Sequence, residues 1–471
     1  MVDIQQIDFK TLLLLSAEQA HKYRVIPAGQ EGAVVAFFHP EGRPILQQEL
    51  EFLLGKKVQL LPVSGDLFDR QLARYYPIQV ANAARTRPEL REDSDVIRFV
   101  RKFMEDAVSI GASDIHIERY ESFARIRFRW EGQLIEKFEV PLSQYNAVVS
   151  RIKILSELDI SERRLPQDGR IHLTAHGQKI DIRVSTLPAQ FGEKIVLRLL
   201  TRSPAFLQLD NLGMKPDELE RFNTALQAPN GIVLITGPTG SGKTTTLYAA
   251  LNLLNRPHSN ISTVEDPIEY NIEGINQVQV KEEIGMTFGN ALRAFLRQDP
   301  NIIMVGEIRD RETAEIAIRA ALVGRLVFST LHTNSSWDAV TRLIDMGVEP
   351  YLLAASLRMV VAQRLLRRLC DTCKRPISVQ THAKLLDTYQ ISTCHEPVGC
   401  PECHYTGYAK RKAIYEVVPI TRYLTDKIKS LDLDIDAYLR QEGILTLRDQ
   451  VVALIRDGET SLEEGLMYLI G

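Results

Sequence analysis

The sequence has no apolar run that approaches the ~18 residues needed to cross a bilayer. Its longest apolar stretch near the start, Leu12 to Leu15, is too short for the core of a signal peptide and follows the acidic Asp3 and Asp8. A cytoplasmic protein is therefore expected. Excess positive charge is also missing. The 57 Lys and Arg against 60 Asp and Glu leave a formal charge of −3, which is no electrostatic footprint for nucleic acid. Cysteine is scarce: there are five in 471 residues, all between Cys370 and Cys403. In a reducing compartment such clustering points to a metal site rather than to disulfides. No internal repeat and no low-complexity tract is found.

What is present is the profile of ordinary folded protein, 45% apolar and 25% charged. At roughly 150 residues per domain the length suggests about three domains. Residues 1–75 read as a small α/β module, with VVAFFHP as a strand and the stretch from Gln47 to Leu54 as a short helix. Residues 76–94, polar and carrying Pro77 and Pro88, read as a linker. A helix is expected from Asp95 to Ile110, capped by Ser94, with Val96, Ile97, Val100, Phe103, Met104 and Ala107 on its apolar face. The strands SDIHIE, ARIRFRW, KIDIRVSTLP and KIVLRLL follow, and with one helical flank they suggest an α+β domain over 95–200. Thr201 to Pro204 breaks that pattern as a link. Over 201–471 the apolar strands GIVLITG, ISTVED, IIMVGEI and RLVFSTLH do not alternate and are separated by helical stretches, as buried parallel strands are. Amphipathic helices are expected between Gly443 and Leu469.

The clearest motif is GIVLITG-PTGSGKTT. Gly237-x-x-x-x-Gly242-Lys243-Thr244 has the Walker A spacing, preceded by a strand and followed by a helix. Gly237, Pro238, Thr239, Gly240, Ser241 and Gly242 would bring backbone N–H groups around phosphates, and the helix that starts with Lys243, Thr244 and Thr245 adds its positive end. Lys243 would reach the β/γ-phosphates and the Thr244 hydroxyl would ligate Mg2+. Three later strands end in polar groups: Glu265 and Asp266, Glu307, and His332. Ligands of open α/β sheets bind at the carboxyl ends of strands, so these groups are expected to converge on the phosphate loop. Glu307 can polarise an attacking water. His332 can sense or stabilise a γ-phosphate, or it can be a satisfied core histidine. Glu265 or Asp266 can supply a carboxylate near Mg2+, or simply form a turn before Pro267. Gly306 stands where such strands usually end in aspartate, and leaves little bulk beside the phosphates.

Cys370-x-x-Cys373 and Cys400-x-x-Cys403 have the spacing of a structural zinc site with four thiolate ligands and no open position for catalysis. Cys394 falls outside both pairs and is left free. Arg125, Arg127 and Arg129 alternate along one strand, opposite Ile126, Phe128 and Trp130. Further arginines stand in RRLPQDGRI (Arg163, Arg164 and Arg170) and in DIRVSTLP (Arg183), where structural ion pairs are one reading.

TVEDPIEY, the glycine-containing strand ending at Glu307, and STLHTNSSWDAVTRL, taken with the Walker A motif, resemble the secretion ATPase superfamily. Within it they resemble the assembly motors of type II secretion and type IV pili, the GspE/PilB group. The resemblance covers roughly residues 92–471. It implies an α/β fold: a RecA-like P-loop motor domain (201–471), a preceding PAS-like α+β domain (95–200), a small N-terminal α/β domain, and a zinc-binding insert (368–408). It implies a homo-hexameric ATPase using ATP and Mg2+, peripheral at the cytoplasmic face of the bacterial inner membrane. Its expected partners are an inner-membrane platform protein and a membrane-anchored protein that docks residues 1–75. Arg170 and Arg183 are the arginines the resemblance points to as reaching a nucleotide. No RLG-type signature of the cyclic-di-GMP-binding version of the N-terminal domain is seen, and that ligand is not expected. Type II secretion pseudopilus assembly is the leading function, type IV pilus assembly the alternative. A nucleic-acid-dependent RecA-like motor is the alternative of another class, disfavoured by the charge.

Overall fold

The computed structural model describes residues 56–76, 93–175, 177–200, 208–377 and 388–470, with scattered positions between 7 and 54. Most of the expected linker at 76–94, and Thr201 to Pro204, lie outside the described residues. The chain forms two compact units. One comprises Met1–Leu199 with Cys370–Arg375 and Pro397–Gly407; the other comprises Leu200–Leu369, Pro376–Glu396 and Tyr408–Gly471. Among the described residues no helix is long and apolar enough to cross a membrane.

In the first unit, β1 (Ile26–Glu31), β2 (Val34–His39) and β3 (Lys57–Pro62) form a sheet in that order, with β1–β2 antiparallel and β2–β3 parallel. A parallel pair needs a crossover, and positions 46–47, 50–51 and 54 within it are helical. Phe37, Leu50 and Phe68 are fully buried in this small core, the last from the helix Gly65–Tyr75.

The same unit holds a six-stranded sheet: β4 (Asp114–Arg119), β5 (Ala124–Trp130), β6 (Gln133–Val140), β7 (Gln167–Ala175), β8 (Gln178–Leu187) and β9 (Lys194–Leu200). Their order is β6-β5-β4-β9-β8-β7. The helices Asp93–Ser109 and Tyr145–Leu155 share one core with its apolar side, including Phe103, Ile126, Phe128 and Ile152. The first helix begins at Asp93, so Ser94 lies inside its first turn and is not its cap. Period-2 alternation along β5 buries Ala124, Ile126 and Phe128. The opposite side carries Arg125, Arg127 and Arg129, and each has a carboxylate partner. Arg127 grips Glu118 through two bonds of 2.9 Å, Arg125 adds a third at 3.2 Å, and Arg129 lies 3.4 Å from Asp114. Burial pushes the Glu118 carboxyl up, but the two arginines outweigh it and hold the pKa below the ordinary value.

The second unit is built on β10 (Gly231–Thr236), β11 (Ile261–Glu265), β12 (Asn276–Gln279), β13 (Ile302–Val305), β14 (Leu326–Leu331), β15 (Leu357–Leu369) and β18 (Tyr408–Pro419). Between the last two, β16 (Arg375–Ile377) and β17 (Cys394–Glu396) pair separately. The large sheet has the order β12-β11-β13-β14-β10-β15-β18, parallel from β12 to β15, with β18 antiparallel at the end. Every residue of β10, β11, β13 and β14 is buried, because helices cover both faces. Along β10, Ile232 and Leu234 enter the core shared with the helices Arg311–Leu322 and Asp338–Asp345. Val233 and Ile235 enter the other, shared with Pro216–Leu226 and Lys243–Leu254. The C-terminal helices Leu447–Arg456 and Leu462–Ile470 pack on Ala362, Leu366 and Ile414 of the long β15–β18 pair.

Candidate functional site

β10, β11, β13 and β14 run parallel, so their carboxyl ends lie along one edge of the sheet. From β10 the chain turns through Gly237–Gly242 into the helix Lys243–Leu254. Gly237 has φ +154°, and a Cβ there would lie 2.5 Å from the Gln363 carbonyl oxygen and 2.6 Å from Ser241 Oγ. Only glycine fits this approach of the loop to β15. Pro238, Thr239, Gly240 and Thr244 are exposed and Thr245 is half-buried. The buried Lys243 ammonium donates to the carbonyls of Gly237 at 2.8 Å and Pro238 at 3.0 Å.

Burial lowers the Lys243 pKa from 10.5 to about 8, with Glu307 opposing the shift and Arg364 adding to it. The sign follows from proton counts. Between pH about 8 and 10.5 the unfolded chain holds a proton that the folded chain has lost, so this group's contribution to stability rises with pH across that window. Phosphate binding needs the ammonium and runs the other way. The affinity for a fluorescent ATP analogue is expected to fall above pH about 8, approaching about tenfold per pH unit. A flat affinity profile between neutral pH and about pH 9.5 would exclude this titration from binding.

Glu307 follows β13. Its carboxylate takes Arg309 at 2.5 Å on one oxygen and lies 3.4 Å from His332 Nε2 on the other. Burial pushes its pKa up, but Arg309 and then His332 outweigh burial and hold it below the ordinary glutamate value. His332 is exposed, not a core histidine. Arg309 also lies 4.0 Å from Asp266, so His332, Glu307, Arg309 and Asp266 form one chain of polar contacts at the strand ends. Glu265 does not join it. Its side chain is buried: one oxygen accepts from Thr263 Oγ1 at 2.6 Å and Gln277 Nε2 at 3.1 Å, the other from the Tyr248 hydroxyl. Of the two acidic residues considered for Mg2+, Asp266 is the half-exposed one, and with the exposed Thr244 it offers the hard oxygen donors that ion takes. Gly306 is packed close against the neighbouring strand. A Cβ there would meet the Val264 carbonyl oxygen at 3.3 Å and Glu265 Cα at 3.4 Å, both on the neighbouring strand.

Arg309, Gln363 and Arg364 are site residues that sequence reasoning missed. Gln363 accepts from Thr246 at 2.8 Å and backs the phosphate loop. Arg364 donates to the carbonyls of Thr333 at 3.2 Å and Asn334 at 2.5 Å. The readable signal was a Gln-Arg pair interrupting the apolar strand VVAQRLL. Arg170 and Arg183 belong to the first unit. They stand directly opposite each other on β7 and β8, with Arg170 exposed. Arg163 is exposed, and Arg164 pairs with Glu162 at 2.9 Å.

The four cysteines converge, also in the first unit. The sulfurs of Cys370 and Cys400, and of Cys373 and Cys403, are 3.8 Å apart, and those of Cys400 and Cys403 are 3.7 Å apart. All four lie within 4.8 Å of one another. Tetrahedral zinc with bonds of about 2.3 Å spaces its sulfurs by about 3.8 Å, so the cluster fits Zn2+. Backbone N–H groups of Gly399, Cys400 and Gly407 point at these sulfurs at 3.1–3.3 Å, as thiolate ligands require. Burial, with the neighbouring thiols, pushes the Cys373 pKa up, which makes a cation the partner these sulfurs need to ionise. Cys394 lies outside the cluster, in β17. Next to Cys403, the His404 ring stands edge-on to Trp130 at 5.0 Å, and its Nδ1 is 3.4 Å from Lys137 Nζ.

A phosphate loop on one strand of a parallel sheet, with His332 at the end of the next strand and carboxylates at the ends of β13 and β11 along the same edge, is how RecA-like P-loop NTPases are made, and this chain is one. Residues 89–467 match the family described as Type II/IV secretion system protein, and the chain belongs to that family. Residues 2–82 match the MshEN domain. The chain is 43% identical to the "Type IV pilus assembly ATPase PilB" of Myxococcus xanthus, over 96% of this chain and 85% of that protein. It is also 43% identical to the "Type II secretion system protein E" of Pseudomonas aeruginosa, over 89% of this chain and 88% of that one. Among solved structures it is similar to the pilus retraction motor PilT with bound ADP, at 26% identity and a TM-score of 0.54, covering 78% of this chain and 96% of that chain. The Legionella pneumophila ATPase DotB shares the fold, with a TM-score of 0.59 at 20% identity, covering 82% of this chain and 96% of that one.

Proposed function

We propose that this chain is an Mg2+-dependent ATPase that drives pseudopilus assembly in type II secretion. It works as a homo-hexamer at the cytoplasmic face of the inner membrane. The carrying observation is the joining of Lys243 of the phosphate loop and the ionised Glu307 in one site, on a chain so similar to a type II secretion system protein E. Lys243 exchanges its bonds to the Gly237 and Pro238 carbonyls for β/γ-phosphate oxygens, joined by the N–H groups of Gly237–Thr245. Thr244 and Asp266 hold Mg2+, which when bound neutralises phosphate charge. Glu307 orients the attacking water and accepts its proton, and His332 meets the γ-phosphate. Glu265 braces β11 against the helix Lys243–Leu254 through Tyr248. Arg170 and Arg183 supply positive charge to the nucleotide of a neighbouring subunit, as arginine fingers do. Residues 1–75 dock on a membrane-anchored protein, the motor pushes an inner-membrane platform protein, and no nucleic acid takes part. Type IV pilus assembly is the second reading, favoured by the 96% of this chain that the Myxococcus relative covers.

Subunit mixing tests the assignment. Lys243→Ala and Arg183→Ala chains are each expected to lose ATP turnover alone. Mixed, they recover part of it, because some interfaces then carry an intact loop facing an intact arginine. Absence of recovery in confirmed mixed oligomers would rule out Arg183 acting across subunits. A wild-type chain that releases no phosphate from ATP would remove the enzyme assignment itself.

A further inference from the structure

The segment Thr333–Ser336 directly follows His332 and is tied from several sides. At Thr333 the backbone N–H donates to Thr236 Oγ1 at 2.9 Å, and the two hydroxyls are 2.6 Å apart. Thr236 is the last residue of β10 before the phosphate loop. Arg364, only 5% exposed, holds the next two carbonyls. The third tie is Glu416 on β18, 4% exposed. One of its oxygens accepts from the Ser336 N–H at 2.9 Å and from the Ser336 hydroxyl. The other accepts from the Leu447 N–H at 3.1 Å, and Leu447 opens the helix Leu447–Arg456. Tyr468 of the last helix interacts with the Arg364 guanidinium.

A buried carboxylate is costly unless its oxygens are satisfied. Glu416 spends both on linking two segments that are otherwise distant in sequence: the strand-end loop beside His332 and the start of the C-terminal helices. Arg364 and Tyr468 make a second link between the same two regions. We propose that Glu416 is a positioning residue that sets the placement of His332, and that the C-terminal helices 447–470 control turnover through it. The inference rests on the ATPase reading, in which His332 meets the γ-phosphate. Displacing these helices would then change hydrolysis without any contact with the nucleotide.

The test uses full-length chains carrying Glu416→Gln or Tyr468→Phe. Gln keeps the shape but replaces one accepting oxygen with a donor, so it can satisfy only one of the two segments. Expected for Glu416→Gln is a kcat about tenfold lower, within the roughly 10²-fold that a 1 Å misplacement can cost. The affinity for ADP stays within about twofold while the KM for ATP rises severalfold, so the preference for ATP over ADP shrinks by the same factor, because only the γ-phosphate contact has moved. Tyr468→Phe shifts kcat and the ATP/ADP preference in the same direction by about threefold, leaving ring packing intact. Mere packing would lower thermal stability while leaving the ATP/ADP preference of the folded fraction unchanged, and that result overturns the proposal. Wild-type turnover and preference in both variants overturns it equally. Should Glu416→Gln not fold, Tyr468→Phe alone decides. A wild-type chain without ATP turnover would sink the ATPase reading and this inference with it, whereas an active wild type with unaffected variants sinks only the inference.

Discussion

Glu307→Gln is expected to lower ATP turnover by about 10²–10⁴-fold, the range for losing a general base, while ATP binding stays near that of the wild type. The substitution removes little volume and no backbone bond. What it removes is a carboxylate kept ionised by Arg309 and His332 in spite of burial. A general base must be unprotonated at the working pH and near the proton it takes, and Glu307 meets the first condition throughout the neutral range. Because its pKa is lowered, protonation sets in only below the ordinary glutamate range, so no loss of activity near pH 6 belongs to this group. The amide can still accept from Arg309, so the arginine stays tethered between residue 307 and Asp266 and the site keeps its shape. Phosphate release measured beside binding of a fluorescent nucleotide separates the two effects. Turnover within about threefold of wild type would show that another group activates water. Loss of nucleotide binding would show that Glu307 serves the phosphate loop, through its field on Lys243, more than it serves chemistry.

The contrast between Glu307 and Glu265 shows what a sequence carries and what it hides. Both close an apolar strand on the same edge of the sheet, and in one dimension they look alike. Strand position is legible because burial on both faces forces apolar runs without alternation, as in GIVLI, IIMV and LVF. Side-chain direction is not, because it depends on groups that arrive from elsewhere. Tyr248 from the helix after the phosphate loop and Gln277 from β12 capture Glu265, whereas Arg309, two residues on, captures Glu307. The same reason hid Gln363, Arg364 and Glu416, whose partners lie far along the chain. Alternation correctly separated Arg125, Arg127 and Arg129 from Ile126 and Phe128. It could not show that Glu118 and Asp114, on the adjacent strand, would neutralise them. Trp130, read with the inward residues, meets His404 of the cysteine segment, a contact spanning more than half the chain. Local motifs fared best where the chemistry itself is local, as in Gly237–Thr244 and the two Cys-x-x-Cys pairs.

That Trp130 contact gives the second large effect a readout independent of turnover. Cys403→Ser is expected to reduce bound zinc from one ion per chain to none and to unfold the segment Pro397–Gly407. The Cys403 side chain is fully buried and receives N–H groups from Cys400 and Gly407, so serine there loses the metal and leaves those donors facing a poorer acceptor. Structural zinc contributes roughly 10–16 kcal/mol of binding in small zinc-finger peptides, and loops this short have few other contacts to replace it. His404 and Tyr405 both sit at positive φ, a conformation that side chains seldom hold unless the surrounding fold imposes it. Releasing the metal should therefore free His404 from Trp130 and Lys137. The chain has two tryptophans, and Trp337 is buried in the core of the second unit, so a Trp337→Phe background isolates Trp130 emission. In that background Cys403→Ser, or chelation of the wild-type metal, should shift Trp130 emission to the red and open the chain to protease within Pro397–Gly407. Because the sheet holding Lys243 and Glu307 has its own two cores, nucleotide binding should survive the loss. A variant that keeps one zinc per chain, or that loses zinc with unchanged Trp130 emission and protease resistance, would separate the metal from the fold of this segment and refute the assignment.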